Sequence, residues 1–243
     1  MLIKKIAFTG WVLTSSVTAA EIDGRLEEIR FQKTSLKTMI YGEINDPDRI
    51  YKAILNSHKA DKTAFILDVD GTLSNEDNPE NLGENQIVTE RGRAVENLRR
   101  LMEQGALIVF CSAWHKLDET IKRLRQIGFT DEDLSISEEE QEQTQAVSLT
   151  HNKTMYIINF KKLGNVISVK HEKPWEKKTY FRNKAFSLMF LQEGGLPEQI
   201  ETIYFLDDSA QNHEVFINDI LTFDLYPNIQ IYNYLLTEPI PIK

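Results

Sequence analysis

The sequence predicts an α/β fold, in which a doubly wound parallel sheet carries a small β-containing cap insertion and a helical N-terminal arm. From residue 61 onward, short apolar runs alternate with segments whose apolar residues recur at helical spacing. Three of the apolar runs stop on polar residues, and several of the helical segments stop at a glycine. This alternation is typical of parallel strands joined by right-handed helical crossovers.

Composition and charge limit the class of protein. The 243 residues are 27% charged and 41% hydrophobic, which suits one globular domain with extensions. The formal net charge of -9 excludes a general affinity for nucleic acid or for an anionic membrane surface. Cys111 is the single cysteine, which excludes an intrachain disulfide and a cysteine-ligated zinc site.

Residues 1–20 have the order of a secretory signal peptide. Lys4 and Lys5 precede an apolar run, and small residues follow as far as Ala19 and Ala20. The run is too short to form a stable membrane span, so we expect cleavage after Ala19 or Ala20 and a periplasmic or secreted protein. The alternative is an ordinary N-terminal strand or helix, because a threonine and a glycine dilute the apolar run.

Residues 21–60 are predicted to form a helical N-terminal arm that packs against the main domain. Asp46 is a good N-cap, and Pro47 suits the first position of a helix. Apolar residues then recur at helical spacing at Ile50, Tyr51, Ile54 and Leu55.

The main domain, residues 61–243, begins with a short apolar strand and continues with alternating helices and strands. Strands are predicted at 64–69, 106–112 and 203–206. Helices are predicted at about 89–104, from about 115 to 128, and from about 184 to 194. Apolar runs of this length, bounded by turn residues, suit strands that are buried on both faces of a parallel sheet.

An insertion at about 138–183 interrupts this alternation, and we expect it to form a small cap. Within it, 155–160 and 165–169 flank a short polar turn, which predicts a β-hairpin. Charge is divided unevenly, with seven acids and no Lys or Arg in 131–150, and nine Lys or Arg and two acids in 151–184. The basic half is a candidate rim that collects anionic substrate, and the alternative is solvated surface.

Polar side chains end three of the predicted strands. Asp68 and Asp70 follow the first strand, Ser112 ends the second, and Asp207 and Asp208 end the third. In a parallel sheet these ends open on the same edge, where ligands bind. Carboxylates without a histidine or cysteine set form a site for a hard cation, and Mg²⁺ commonly works together with a substrate phosphate. Each residue alone also fits a turn former or a helix cap.

These residues resemble the four motifs of the haloacid dehalogenase-like (HAD) superfamily, whose members are mostly Mg²⁺-dependent phosphatases. The resemblance covers about residues 61–235. The motifs correspond to Asp68-Val-Asp70-Gly71-Thr72, Ser112, Lys184 and Asp207-Asp208. The resemblance implies a HAD-like Rossmannoid core. The N-terminal arm and the signal peptide also resemble an uncharacterised secreted bacterial branch of the superfamily.

The resemblance, together with the demands of phosphoryl transfer, assigns a role to each residue. Asp68 would be the nucleophile that forms an aspartyl-phosphate, and Asp70 the general acid and base. Mg²⁺ would be held by Asp68, the Asp70 backbone carbonyl, Asp207 and Asp208. Phosphate would be bound by Ser112, Lys184 and Thr72, and Thr72 would also brace the turn.

The expected activity is hydrolysis of a small phosphomonoester. A phosphomutase is a second possibility, because it would use the same aspartyl-phosphate, but the stretch after Thr72 is short for the large cap that would shield the intermediate from water. The non-enzyme alternative is a binding or effector protein on an inactive HAD scaffold.

The sequence also departs from the family pattern. Asn212 stands near the place where many members have a further acid, and Lys173 is a rival for the role of the motif lysine. Trp114 and His115 follow the second motif and are candidates for substrate contact. His213 is expected at the surface.

Overall fold

A mostly parallel sheet of nine strands organises the described part of the chain, and helices cover both of its faces. The computed structural model describes residues 29–32, 38–74, 88–112, 117–151, 154–169, 184–191 and 196–237. The strands are β1 (Ile29–Gln32), β2 (Thr38–Ile44), β3 (Thr63–Leu67), β4 (Leu107–Ser112), β5 (Gln143–His151), β6 (Thr154–Leu163), β7 (Val166–Val169), β8 (Thr202–Asp207) and β9 (Gln230–Leu236). The helices are α1 (Asp48–Ser57), α2 (Ala94–Glu103), α3 (Leu117–Ile127), α4 (Ser187–Leu191) and α5 (Ala210–Thr222).

The strand order is β1-β2-β9-β8-β3-β4-β7-β6-β5. The central strands, from β2 to β7, are parallel to one another, while β1 and the β5–β6 pair run antiparallel to their neighbours. One apolar cluster lies between the sheet and α1, α2 and α3, and a second lies between the opposite face and α4 and α5. The predicted α/β class with a largely parallel sheet is therefore confirmed.

The three predicted core strands are present. All five residues of β3 are buried, because the strand has neighbours on both sides and helices on both faces. β4 and β8 begin and end within one residue of the predicted bounds. All three end at the same edge of the sheet, which we call the carboxyl edge.

The helix α2 is shorter than the periodicity predicts. α2 begins at Ala94 instead of about 89, because the preceding segment is tied down as a loop: the Arg91 amide donates to the Leu73 carbonyl at 2.8 Å. Gly105, at φ +90°, follows its end as expected. The helix predicted from Lys184 begins as a 3-10 turn and continues as the short helix α4.

The arm is not helical throughout, and this part of the prediction is wrong. α1 is present, but β1 and β2 lie before it, and β2 pairs in parallel with β9. Met39 and Ile40 are both buried there, on opposite faces of the sheet. A strand with side chains buried on both faces lacks the alternation that would have revealed it.

The predicted hairpin is also present as β6 and β7, but it extends the main sheet and does not form a separate cap. β7 pairs with β4, which places Ser168 beside Ser112. The β5–β6 pair continues for six residues past the last residue of β7, about 20 Å at the usual rise of a strand. That projection lies at the carboxyl edge, and residues 170–183 are outside the described part of the chain.

Residues 1–20 also lie outside the described residues, so the signal peptide stays a prediction. Among the helices that the structure describes, none combines the length and the apolar character needed to cross a bilayer.

Candidate functional site

Three carboxylates meet at the carboxyl edge, as the strand ends predicted. Asp68 follows β3, while Asp207 ends β8 and Asp208 comes next. The two strands are neighbours, and the Asp68 amide donates to the Leu206 carbonyl at 3.0 Å, so the pairing extends up to the site. One oxygen from each of the three carboxylates lies within 4.8 Å of the others. Asp68 and Asp207 are buried, and Asp208 is half-buried.

Lys184 lies between two of these acids. Its ammonium group donates to Asp207 Oδ2 at 2.6 Å and also to Asp68 Oδ1, and the residue is 2% exposed. Burial lowers the pKa of Lys184, but Asp207 and Asp68 outweigh that effect and hold the pKa above its usual value. The lysine is therefore a buried cation. Ser187 holds the turn that carries it by donating to the Lys184 carbonyl at 2.8 Å.

Three carboxyl groups of the site lie close together, and one ammonium group contacts two of them. Burial raises the pKa of Asp68 well above its ordinary value; Lys184 lowers it, and Asp207 raises it further. Carboxylate oxygens are the ligands that Mg²⁺ and Ca²⁺ prefer. The residues therefore fit a divalent cation.

Asp207 is held in place by the start of α5. Ser209 donates its amide hydrogen to Asp207 Oδ1 at 2.8 Å, and the Asn212 side-chain nitrogen lies 2.9 Å from each Asp207 oxygen. Ser209 is also the N-cap of α5, accepting from the Asn212 amide at 3.4 Å. Asn212 thus reaches the site, as its place in the sequence indicated, and its contact is a hydrogen bond to the acid.

His213 is buried, so its expected surface position is wrong. It is 1% exposed, with Nε2 at 2.8 Å from the Asp207 backbone carbonyl and Nδ1 against the side-chain amide of Asn233. Its ring packs beside Phe205 and edge-on to Tyr41. Burial lowers the pKa of His213, although Asp207 opposes this. No local pattern predicts this burial, because the groups that contact His213 lie on three different strands.

Arg123 is the residue at this edge that sequence reasoning missed. It lies on α3, is 7% exposed, and its guanidinium forms an ion pair with Asp70 Oδ1. Burial raises the pKa of Asp70, and Arg123 opposes that rise. Its position in the sequence could have indicated this, because Arg123 lies on the buried side of α3, next to Leu124. A buried arginine requires an acidic partner.

Asp70 and Thr72 lie in the turn that follows β3, where the chain reverses direction. Gly71, at φ +71°, allows the reversal, and the Arg91 side chain donates to its carbonyl at 2.7 Å. Thr72 is 1% exposed, and within the described part of the chain its hydroxyl has no hydrogen-bond partner.

Ser112 lies at the carboxyl edge, as the last residue of β4. It is fully buried and is paired in register with Ser168 on β7, whose hydroxyl is also buried. Trp114, His115 and Lys173, which were candidates near the site, lie outside the described residues.

A cleft of about 740 Å³ lies at the opposite edge of the sheet and contains none of the site residues. Its walls include Arg99 and Asp133, which form an ion pair at 2.6 Å, and Lys162, which donates to a backbone carbonyl at 3.0 Å. Its polar groups largely pair with one another, whereas the carboxyl edge holds a cluster of three acids that could bind a metal ion. We therefore place the functional site at the carboxyl edge.

In comparisons with known proteins, no family model, no curated protein and no solved structure matches this chain. The geometry of the site and the order of the motif residues in the sequence are therefore the observations that bear on function.

Proposed function

We propose that this protein is a Mg²⁺-dependent phosphatase of the HAD type that hydrolyses a small phosphomonoester through an aspartyl-phosphate. The observation that carries the proposal is the position of Lys184 between Asp68 and Asp207. Residues from three separate segments meet there, at the edge of a parallel sheet where ligands bind. Along the chain, the residues follow the order of the HAD motifs: first the proposed nucleophile, then the serine hydroxyl, the lysine and the paired acids. This order supports the same function.

Asp68, Asp207, Asp208 and the backbone carbonyl of Asp70 would hold the cation. When bound, Mg²⁺ would supply positive charge that offsets the charge of the phosphoryl oxygens. The protein itself holds Asp207 rigidly, through hydrogen bonds to its carboxylate from Ser209, Asn212 and Lys184.

Asp68 would act as the nucleophile. One of its carboxylate oxygens attacks phosphorus as the bond from phosphorus to the leaving oxygen breaks, and the leaving oxygen takes a proton from Asp70. Water then attacks the phosphorus of the aspartyl-phosphate and gives a proton to Asp70. The bond between phosphorus and the Asp68 oxygen breaks, so phosphate is released and the Asp68 carboxylate is restored. Arg123 directs the carboxyl group of Asp70 in both steps, since the two form an ion pair.

The phosphoryl oxygens would be bound by cationic and hydroxyl groups. Lys184 contacts the proposed nucleophile Asp68, and Ser112 and Thr72 place hydroxyl groups at the same edge. Hydroxyl and ammonium donors fixed before the reaction stabilise charge that spreads over the phosphoryl oxygens.

Two lysines in the basic half of the insertion, the proposed region for collecting substrate, are already engaged. Lys161 forms an ion pair with Glu142 at 2.7 Å, and Lys162 donates to the Leu191 carbonyl at 3.0 Å, so both lysines already have partners. The remaining candidates lie within 170–183, outside the described residues. We propose the steering role for the basic residues of that segment alone.

We also propose that the protein acts in the periplasm or after secretion, because residues 1–20 have the order of a signal peptide. Mass spectrometry of protein recovered from the producing cell tests this. A mature chain that begins at residue 20 or 21 is expected, and a full-length chain would contradict the proposal.

The test of activity is hydrolysis of an aryl phosphate by purified protein with Mg²⁺ or with EDTA. Wild type should be active only with Mg²⁺. The matched control is Asp118→Asn, which removes an exposed acid on α3 and should keep full activity. Binding of Mg²⁺ and of a phosphate ester without turnover would identify a binding protein. Transfer of phosphate to a second substrate without release to water would identify a phosphomutase.

A further inference from the structure

His213 and Asn233 form a buried polar pair beside the acidic site. His213 projects from α5, and Asn233 projects from β9; they are 1% and 0% exposed. The apolar cluster around them includes Phe205 and Phe216, whose rings stack with centroids 4.1 Å apart. A polar pair in such surroundings costs free energy unless its hydrogen bonds are satisfied, so its partners indicate what it does.

The histidine contacts the peptide group that joins the two acids. Its Nε2 lies 2.8 Å from the backbone carbonyl of Asp207, and that carbonyl belongs to the peptide linking Asp207 to Asp208. A carbonyl oxygen only accepts hydrogen bonds, so Nε2 must carry the hydrogen. The orientation of this peptide determines the direction in which both acidic side chains leave the backbone.

The asparagine fixes the other ring nitrogen. A neutral imidazole that carries hydrogen on Nε2 has a bare Nδ1, which needs a donor. Asn233 Oδ1 is placed against Nδ1, while Asn233 Nδ2 has no partner among the described residues. The two ends of an amide have nearly the same shape, and the hydrogen bonds decide which is nitrogen. Turning the Asn233 amide by half a turn lets Nδ2 donate to Nδ1.

We propose that His213 and Asn233 are positioning residues of the acidic site, which hold the peptide between Asp207 and Asp208 in the orientation that lets both carboxylates bind one divalent cation. This inference rests on the proposed function, because it assumes the cation. Asn212, the residue before His213, holds the carboxylate of Asp207 from the same turn of α5. One turn of helix thus holds the side chain and the backbone of a single acid.

Metal binding tests the proposal. His213→Phe keeps a ring in the pocket and removes the hydrogen bond to the Asp207 carbonyl. Residues that orient metal ligands typically change metal affinity by about 10- to 100-fold, and we expect a loss of Mg²⁺ affinity in that range by isothermal titration calorimetry of the EDTA-treated protein. Asn233→Leu should weaken binding less, and His213→Gln, which keeps an N–H donor, should retain more affinity than His213→Phe.

A control separates positioning from general destabilisation. Ile220→Val removes one methyl group from a fully buried residue of the same helix, away from the acids. It should lower the melting temperature in EDTA and leave Mg²⁺ affinity within twofold of wild type. Equal Mg²⁺ affinity in His213→Phe and wild type would overturn the positioning role alone. Absence of Mg²⁺ binding in wild type would overturn the proposed function, and this inference with it.

A measurement on the wild-type protein covers the case in which the variants do not fold. Nitrogen-15 NMR of the histidine rings distinguishes the two neutral tautomers. His213 should carry hydrogen on Nε2, because the bond to the Asp207 carbonyl requires it. Hydrogen on Nδ1 with a bare Nε2 would remove that bond and overturn the proposal.

Discussion

Lys184 Nζ lies 2.6 Å from Asp207 Oδ2, although the two residues are 23 positions apart in the sequence. The lysine comes just before α4 and the aspartate ends β8, so the crossover between them returns the chain to the same edge of the sheet. The ammonium group is almost fully buried, so the acids in contact with it supply its compensating negative charge.

Replacement of this lysine by a neutral side chain should be costly. Lys184→Met leaves Asp68 and Asp207 buried without their counter-charge, and we expect a loss of about 3 kcal/mol in the free energy of unfolding. Urea unfolding in EDTA measures this. Lys161→Met, which breaks a partly exposed ion pair with Glu142, serves as the control and should cost less than about 1 kcal/mol. Equal stability of the two variants would show that Lys184 does not compensate the acids.

Lys184→Ala should also reduce catalysis. If Lys184 binds the phosphoryl group, kcat falls sharply, whereas Lys173→Ala should mainly change KM, because Lys173 belongs to the insertion. Steady-state kinetics on an aryl phosphate decide between the two lysines. The reverse pattern would assign the motif role to Lys173.

Asp68→Asn removes the anionic oxygen of the proposed nucleophile and keeps the shape of the side chain. Turnover should fall by about a thousandfold or more, while circular dichroism stays unchanged. Asp118→Asn is the matched control on an exposed acid. A variant that keeps a tenth of wild-type activity would contradict the mechanism.

Asp208→Asn tests the cation site at its most exposed acid. One carboxylate ligand would be lost while Asp207 keeps its bonds to Asn212 and Lys184, so the Mg²⁺ affinity measured by isothermal titration calorimetry should fall. Ca²⁺ should fail to restore activity to EDTA-treated wild type, because it prefers looser and higher coordination. Full activity in EDTA would rule out the metal.

The ion pair between Arg99 and Asp133 should make stability depend on pH. The Arg99 hydrogen bond lowers the pKa of Asp133 from 3.8 to about 2. The folded protein therefore binds this proton less readily than the unfolded chain, and the stabilisation is complete above about pH 4 and is lost as pH falls towards about 2. Asp133→Asn should cost about 1 kcal/mol at about pH 5 and almost nothing at about pH 2 by urea unfolding. A constant difference across this range would contradict the pair's role.

Cys111 should report on unfolding. It is fully buried, and burial raises the pKa of its thiol to about 12, so almost no thiolate forms at about pH 8. Ellman's reagent should react with the native protein very slowly and with the denatured protein at once. Rapid reaction of the native protein would show that the strand end at Ser112 opens in solution.

The sequence predicted most of the parallel core because the patterns there are local. Apolar runs that stop on Asp68, Ser112 and Asp207 identify both the strands and the edge where they end. The position of Lys184 followed from order along the chain. Each of these inferences needs only residues close together in sequence and the rule that parallel strands end together.

The parts that sequence reasoning missed depend on contacts between distant segments. Arg123 meets Asp70 across 53 positions, and His213 meets Asn233 across 20. No local pattern specifies such partners. The strand β2 was missed because its burial on both faces hides the alternation, and β7 was assigned to a cap because its pattern identifies a hairpin without identifying the strand beside it.

Because β2 pairs with β9, the sheet can form completely only late in synthesis. β2 is made early, whereas β9 is the last strand in the described chain, and β9 alone separates β2 from β8. During synthesis, therefore, β2 cannot take its place until nearly every other element has emerged. Until then the edge of β2 that pairs with β9 is exposed to other chains. Such long-range closure slows folding, and a product truncated before residue 230 would leave β1 and β2 with no sheet to join.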